Sequence, residues 1–373
     1  MSFAGFEVLC RQETVADDYR FNSGIASNVV IYDADVFDRA MDDEQVSAAL
    51  KAELNHCLLK GPGVYVVKQG FRDLALIDRA NDTFDHIVAE EKELKGEAGD
   101  HFAKSGENDR IWNSLQKTCL KAPEDFVRYY SNTVLAMAAR AWLGPHYQMT
   151  AQVNIVKPGA KAQSPHRDYH LGFQSDETVA EFPLHAQLMS QYLTLQCAVA
   201  HTDMPIVSGP TKLLPFSQQY ELGYGAWRDP EFMQFFESNF VQYELSKGDI
   251  VFFNPALFHA AGDNASSDIH RVANLLQIAS ALTKPMESID RVAMSGKVYP
   301  VLQEQSLSVN DRINAVAAVC DGYSFPTNLD NDPPIGQCAP LTMAELMHKA
   351  LNEQWPHSEF VSRLDQQQAQ RLA

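Results

Sequence analysis

Three side chains of this sequence have the types and the spacing of a metal site. His166 and Asp168 lie two residues apart, so both project from the same face of an extended strand. His259 follows much later, after a turn and a short apolar strand. Two imidazoles and one carboxylate on one side of a metal leave its other coordination positions open, which is typical of non-haem Fe(II) oxygenases. The sequence therefore predicts that these three residues bind a metal.

The same residues also have ordinary structural interpretations. A histidine two residues before an aspartate is a short pattern, and His166 with Asp168 could be a hydrogen-bonded pair on the surface. His259 could be a core histidine whose ring nitrogens are satisfied by neighbours. The turn and the apolar strand that precede His259 favour the metal site, because they would place it beside the other two residues.

One arginine has the right position to complete such a site. Arg271 begins the apolar strand that follows His259. A guanidinium buried at the end of a barrel could bind a carboxylate through two parallel hydrogen bonds, as a bound dicarboxylic acid requires. A structural salt bridge is the alternative for Arg271. The position favours carboxylate binding.

Short strands are needed to place these residues, and the middle of the chain predicts them. Apolar segments there are bounded by Gly, Pro, Asn and Asp. Several short strands separated by turns favour a sandwich or barrel over alternating strand and helix units. Neither GxGxxG nor GxxxxGK[ST] occurs, which excludes dinucleotide-binding and P-loop folds. The predicted strands are 149–156, 192–200, 241–245, 250–254 and 272–278.

Helical periodicity dominates both ends of the chain. Apolar residues recur at helical spacing in 43–61, 71–94 and 124–143, and again in 343–353 and 359–372. We therefore expect a mainly β fold with flanking helices in one domain over residues 1–373. Its predicted parts are a helical N-terminal part (about 1–145), a core of strands (about 146–284) and a helical C-terminal extension (about 285–373).

Composition and charge exclude several classes of partner. The formal net charge of −18 would repel nucleic acid and anionic membranes. The six cysteines are scattered without a CxxC pair, as expected of free thiols in a reducing compartment. The N-terminus lacks a signal-peptide pattern, and no window approaches the ~20 apolar residues of a membrane span. We expect a cytoplasmic protein that acts on a small molecule and binds neither nucleic acid nor a membrane.

Four sequence pieces together are similar to one known family. They are VNIVKPG at 153–159, HRD at 166–168, SGPTKLLPFS at 208–217, and GDIVFFNPALFH at 248–259 followed by Arg271. Their order and approximate spacing resemble the phytanoyl-CoA dioxygenase family, which includes ectoine hydroxylase. The resemblance extends over about residues 46–280.

The resemblance implies a fold, cofactors and site residues. It implies a double-stranded β-helix (jelly roll) core, Fe(II), and 2-oxoglutarate as co-substrate. The two histidines and the aspartate would be the iron ligands, and Arg271 would bind the distal carboxylate of 2-oxoglutarate. Asn154 matches a position that contacts the co-substrate in some members. Gln152 lies two residues earlier on the same strand face and is the competing candidate.

Two positions depart from the family pattern. A glycine-serine-histidine run usually follows the Gly-Pro turn, and here it is Phe216-Ser217-Gln218. Many members carry a hydroxyl two residues after the distal histidine that contacts 2-oxoglutarate, and here it is Ala261. One co-substrate contact is therefore unassigned.

The implied activity is that of a 2-oxoglutarate-dependent dioxygenase. It would hydroxylate a small organic metabolite, or an acyl-CoA, and release succinate and CO2. The alternatives are a catalytically silent jelly-roll binding protein and a cupin-type metalloenzyme that works without 2-oxoglutarate. Neither alternative needs Arg271. A CoA thioester would need a basic patch, and no Lys/Arg cluster near the expected cavity supplies one.

Overall fold

A sheet of eight strands carries Gln152, Asn154 and Arg271, and a pair of strands carries His259. The computed structural model describes residues 2–95, 108–304 and 306–373. The strands are β1 (Gly24–Ala26), β2 (Val29–Asp33), β3 (Val64–Lys68), β4 (Asn108–Ile111), β5 (Gln148–Val156), β6 (Thr194–Ala200), β7 (Lys212–Leu214), β8 (Ile250–Phe253), β9 (Phe258–Ala260) and β10 (Arg271–Ala279). Eight form one sheet in the order β1-β2-β3-β8-β6-β10-β5-β4, and β7 pairs with β9. This confirms the predicted jelly-roll core with flanking helices.

Helices account for more of the chain than strands do. Helical residues make up 46% and strand residues 16%, so a small sheet is surrounded by many helices. Within the described ranges, no helix is both long and apolar enough to cross a membrane. The α-helices are α1 (Phe3–Cys10), α2 (Asp35–Asp42), α3 (Glu44–Leu59), α4 (Leu74–Lys95), α5 (Ser114–Lys121), α6 (Pro123–Tyr130), α7 (Thr133–Leu143), α8 (Asp176–Glu181), α9 (Leu184–Tyr192), α10 (Gly223–Ala226), α11 (Pro230–Asn239), α12 (Arg291–Leu302), α13 (Val309–Val319), α14 (Met343–Asn352) and α15 (His357–Arg371).

The two faces of the main sheet have different surroundings. Along β10, Ile278 belongs to a large apolar cluster shared with helices, whereas Ala273, Leu275 and Gln277 line a cavity. The alternation follows from the two-residue period of a strand. Because β10 pairs with β5 on one side and β6 on the other, side chains of three strands face the same cavity.

Two predicted elements differ from the observed ones. The segment 124–143 forms two helices, α6 and α7, because Asn132 interrupts it as an N-cap. The Asn132 side chain accepts a hydrogen bond from the Leu135 N–H (3.0 Å) and donates to the Gly70 carbonyl (2.7 Å). The segment 241–245 belongs to neither sheet and makes only isolated bridges through its two end residues.

Both helical ends of the chain are built onto the sheet. The N-terminal 145 residues are largely helical, but they also supply β1 to β4. In the C-terminal extension, Arg291 of α12 donates to the carbonyls of Val319 (3.0 Å) and Met149 (3.3 Å), and the second of these lies on β5. One apolar cluster contains side chains from Tyr19 to Leu364. This shared core favours the single-domain prediction.

A neutral histidine is buried between the sheet and the helices. His201 follows β6, and its Nε2 lies 2.8 Å from the Tyr129 hydroxyl while its Nδ1 lies 2.7 Å from Oδ1 of Asn81. Because the Asn81 oxygen can only accept, Nδ1 carries the proton and the hydroxyl donates to Nε2. Burial, reinforced by the charge of Lys247, lowers the pKa of His201 to about 3. The folded protein therefore excludes a proton from this ring at every pH above that value.

We predict that His201 makes the fold less stable as the pH falls. Below the ordinary pKa of 6.5, the unfolded chain binds a proton at His201 that the folded chain excludes. Between pH 6.5 and 5 this difference removes roughly 1.5–2 kcal/mol from the free energy of unfolding. The free energy of unfolding is measured by urea denaturation at both pH values. Between pH 6.5 and 5 it should fall by roughly 1.5–2 kcal/mol less in His201→Gln than in the wild-type protein. An equal fall in both proteins would show that His201 is not the titrating group.

Candidate metal centre and co-substrate cavity

His166, Asp168 and His259 lie together in the structure. Each offers a ligand atom, and these atoms lie within 4.8 Å of one another. Nε2 of His166 is 3.4 Å from Oδ1 of Asp168, and Nε2 of His259 is 3.4 Å from Oδ2. Asp168 and His259 are buried, and His166 is half-buried. Two nitrogens and one carboxylate on one side of a common point fit a non-haem iron with open positions.

Backbone hydrogen bonds hold the two ligand-bearing segments side by side. The His166 N–H donates to the His259 carbonyl (2.9 Å), and the His259 N–H donates to the His166 carbonyl (3.1 Å). The Asp168 N–H donates to the Pro255 carbonyl (2.9 Å). His259 lies on β9, which also pairs with β7. The three side chains are therefore placed by main-chain pairing and not by contacts among themselves.

A backbone carbonyl two residues earlier orients each histidine ring. Nδ1 of His166 lies 2.9 Å from the Ser164 carbonyl, and Nδ1 of His259 lies 2.8 Å from the Leu257 carbonyl. A carbonyl only accepts, so Nδ1 of each ring carries a proton, and Nε2 is the ring atom left for a metal. Both Nε2 atoms lie beside the Asp168 carboxylate. This arrangement is the one that metal ligation requires.

Neighbouring groups keep Asp168 ionised. Burial by itself raises the pKa of a carboxyl, but His166, His259 and the amide of Gln196 outweigh it and hold the pKa of Asp168 well below its usual range. Burial and the neighbouring His259 lower the pKa of His166, against the opposing effect of Asp168. The ionised carboxylate is the protonation state of Asp168 that binds a metal.

Gln196 is a site residue that the sequence did not indicate. Its Nε2 donates to Oδ2 of Asp168, and Oδ1 remains on the side of His166. Gln196 is on β6, directly opposite Gln277 of β10. The one available signal was a polar residue within an apolar strand, and nothing local relates Gln196 to Asp168.

The three residues line a cavity of about 490 Å³. A volume of this size is typical of pockets for small organic ligands. Apolar and aromatic side chains form most of its wall, with a few polar groups between them. The lining side chains include Met204, Leu245, Phe253, Ala273, Leu275, Trp112, Phe173, Trp227, Met286, Arg110, Gln152, Asn154 and Arg271.

Arg271 is a buried cation in the wall of this cavity. It is 6% exposed, and its Nη1 donates to the carbonyls of Ser208 (3.0 Å) and Gly262 (3.5 Å). Burial lowers the pKa of Arg271 to about 10. Among the described residues, no carboxylate lies within salt-bridge distance of this guanidinium. A buried charge without an acidic partner is costly, and a bound carboxylate would compensate it.

Asn154 and Gln152 of β5 both face the cavity, as their spacing predicted. Gln152 is already engaged, since its Oε1 accepts from Nη1 of Arg110 (2.9 Å) and its Nε2 donates to Oε1 of Gln277 (3.5 Å). Oδ1 of Asn154 is buried and has no hydrogen-bond partner in the described part of the chain. Asn154 pairs with Ala273, two residues from Arg271 along β10. The geometry favours Asn154 over Gln152 as a co-substrate contact.

Known proteins resemble this chain in sequence and in structure. Dioxygenase cdmD from Talaromyces verruculosus is 26% identical over 245 residues, which cover 62% of this chain and 75% of that protein. Dioxygenase trt7 from Aspergillus terreus is 29% identical over 132 residues, or 35% of this chain and 41% of that protein. The solved structure of SnoN, a non-heme alpha ketoglutarate dependent epimerase from nogalamycin biosynthesis, aligns with a TM-score of 0.42 and 18% identity, over 64% of this chain and 82% of SnoN. AviO1 from Streptomyces viridochromogenes Tue57 aligns with a TM-score of 0.41 and 18% identity, over 57% of this chain and 87% of AviO1.

A family model covers the greater part of the chain. The model described as phytanoyl-CoA dioxygenase (PhyH) matches residues 40–273, which include β3 to β9 and the start of β10. His166, Asp168, His259, Arg271, Asn154, Gln152 and Gln196 all lie within these bounds. The family resemblance that the four sequence pieces indicated is thereby confirmed. The chain belongs to the phytanoyl-CoA dioxygenase family of Fe(II)- and 2-oxoglutarate-dependent dioxygenases.

Proposed function

We propose that this enzyme hydroxylates a small, largely apolar organic substrate, with His166, Asp168 and His259 as the iron ligands. The substrate C–H bond, O2 and 2-oxoglutarate would be converted to the alcohol, succinate and CO2. The observation that carries the proposal is the convergence of these three side chains on the wall of a cavity that also contains the buried Arg271. A metal and a dicarboxylate could therefore bind in one enclosed space.

The chain contributes position, charge and exclusion of water. When bound, Fe(II) supplies the activation of O2 that no side chain can provide. Gln196 holds one oxygen of Asp168, so the carboxylate has a fixed orientation toward the histidines. Apolar residues of the wall, including Leu245 and Phe253, keep water from the reacting groups.

Arg271 would bind the distal carboxylate of 2-oxoglutarate. Its hydrogen bonds to the Ser208 and Gly262 carbonyls hold one end of the guanidinium in place. A charged hydrogen bond is stronger in a buried site, so a carboxylate would bind tightly to the other end. Asn154 lies on the neighbouring strand and also lines the cavity, and its amide N–H groups can donate to a carboxylate oxygen. We assign Asn154 a co-substrate contact.

The charge of the cavity favours a small free substrate over an acyl-CoA. Among the lining residues that the structure describes, the cations are Arg110, Arg167 and Arg271. Arg271 is assigned to 2-oxoglutarate, and the guanidinium of Arg167 is bonded to carbonyls outside the cavity. A polyanionic CoA group approaching a chain of net charge −18 would need more positive charge than Arg110 supplies.

Two other functions are compatible with a jelly-roll metal site. A silent binding protein would not need an ionised carboxylate and two oriented imidazoles around an open position. A cupin-type enzyme that works without 2-oxoglutarate would not need a buried guanidinium that lacks an acidic partner. The combination of the metal triad with Arg271 favours the 2-oxoglutarate-dependent hydroxylase.

Replacing Arg271 with leucine should weaken 2-oxoglutarate binding and leave metal binding intact. Truncating one partner of a desolvated charge pair costs about 2–5 kcal/mol, or roughly 30- to several-thousand-fold in affinity. We therefore expect the KM for 2-oxoglutarate to rise by at least about 30-fold in Arg271→Leu. The measurement is succinate formation against 2-oxoglutarate concentration, together with Fe(II) affinity by equilibrium titration.

Arg72→Leu is the matched control for this experiment. Arg72 pairs with Asp35 and Asp38 on the surface, far from the cavity lining. Its removal should change neither quantity. An unchanged KM for 2-oxoglutarate in Arg271→Leu would mean that another group binds the carboxylate.

The substrate class can be tested by substrate-coupled succinate release. Purified enzyme with Fe(II) and 2-oxoglutarate is supplied with free apolar carboxylic acids and, separately, with the CoA thioesters of the same acids. We expect a free compound to increase the rate of succinate formation more than its thioester does, because the described cavity wall lacks a basic patch. A larger increase with the thioesters would reverse this choice and identify an acyl-CoA hydroxylase.

A further inference from the structure

Arg167 lies between two of the proposed metal ligands and is 1% exposed. His166 and Asp168 face the cavity, so the residue between them projects to the opposite side of this extended segment. Its Nη2 donates to the carbonyls of Ser217 (2.7 Å) and Tyr220 (2.9 Å). The guanidinium is therefore fixed behind the metal centre by the main chain of another segment.

Two aromatic rings complete the surroundings of this guanidinium. Its carbon lies 5.2 Å from the ring centre of Tyr224 and 5.2 Å from that of Phe258. Phe258 immediately precedes His259, and its ring also packs against Phe6 of α1 at 5.0 Å between ring centres. One side chain thus contacts the back of both ligand-bearing segments, which are joined in front by the hydrogen bonds between His166 and His259.

The guanidinium of Arg167 is tightly packed against Gly223. A Cβ built on Gly223 would lie 1.9 Å from the guanidinium carbon and 2.1 Å from Nη2 of Arg167. Gly223 does not have a positive φ, so an alanine there would leave its own backbone unstrained and would displace the arginine side chain. The glycine and the arginine therefore fit each other as a matched pair.

A positive charge in this place is energetically costly. The guanidinium is buried, and among the described residues no carboxylate pairs with it. Its Nε also has no hydrogen-bond partner in the described ranges. An apolar side chain of similar volume would fill the space without this desolvation cost. Unlike an apolar side chain, the planar guanidinium forms hydrogen bonds in fixed directions, and these hold the side chain in one orientation.

We propose that Arg167 is a positioning residue that sets the geometry of the metal site from behind. It fixes the segment of His166 and Asp168 relative to the segment of His259 through the Ser217 and Tyr220 carbonyls and the Phe258 ring. Gly223 is the part of this device that leaves room for the guanidinium. The inference rests on the proposed ligand roles and goes beyond them, because it makes the relative positions of the metal ligands depend on a residue that is not itself a ligand.

The test compares metal binding with stability in three variants of Arg167 and Gly223, with two further variants as controls. Co(II) serves as the probe, because its visible spectrum reports the coordination geometry and it can be titrated into the purified full chain. We expect Arg167→Met and Gly223→Ala each to lower Co(II) affinity by about 10- to 100-fold and to change the Co(II) spectrum. The metal-free free energy of unfolding of Arg167→Met should stay near the wild-type value. Arg167→Lys should recover only part of the affinity, because an ammonium cannot reproduce the planar fork.

Arg291→Met is the matched control, because Arg291 also donates to two backbone carbonyls but lies away from the cavity lining. It should bind Co(II) with the wild-type affinity and spectrum. An equal loss of affinity in Arg291→Met would assign the effect to general destabilisation and overturn the proposal. Wild-type affinity and spectrum in Arg167→Met and Gly223→Ala would also overturn it.

His259→Ala separates failure of this inference from failure of the proposed function. If His259 is a ligand, this variant loses Co(II) affinity whatever Arg167 does. Wild-type affinity in His259→Ala would reject the metal site itself, and the role of Arg167 with it. Loss of affinity in His259→Ala with none in Arg167→Met would reject the positioning role alone.

Discussion

The main-chain pairing of His166 with His259 is the constraint on which the site depends. Its two hydrogen bonds join segments that are distant in the sequence, so the rest of the fold must bear the entropic cost of closing the chain between them. The jelly roll does this by pairing β9 with β7 and by hydrogen bonding the Asp168 N–H to Pro255. Once the pairing exists, strand alternation alone turns the imidazoles and the carboxylate to the same side.

The chemistry also depends on charges that are held out of water. Asp168 stays ionised although it is buried, because two imidazoles and the Gln196 amide surround it. Arg271 stays charged in the cavity wall, where the described part of the chain offers it no acidic partner. A ligand of opposite charge compensates the desolvation cost of each group. Asp168 therefore favours binding of a cation, and Arg271 favours binding of a carboxylate.

The sequence predicted the parts of the site that are encoded locally. The spacing of His166 and Asp168 and the turn and strand before His259 are patterns of a few residues, and the structure brings these three side chains together. Apolar runs bounded by turn residues likewise predicted β5, β6, β8 and β10. Gln196 was missed because its partner comes from a different segment, and no local pattern joins them. The split between α6 and α7 was missed for a related reason, since the Asn132 cap also depends on a tertiary contact with Gly70.

The central claim is that iron and 2-oxoglutarate bind together in this cavity on the residues named. The most direct measurement is a crystal structure of the protein prepared without oxygen in the presence of Fe(II) and 2-oxoglutarate, with anomalous diffraction at the iron edge. The account predicts one iron peak bonded to His166, Asp168 and His259, and the distal carboxylate of 2-oxoglutarate on Arg271. An iron peak on other residues, or 2-oxoglutarate bound away from Arg271, would contradict it.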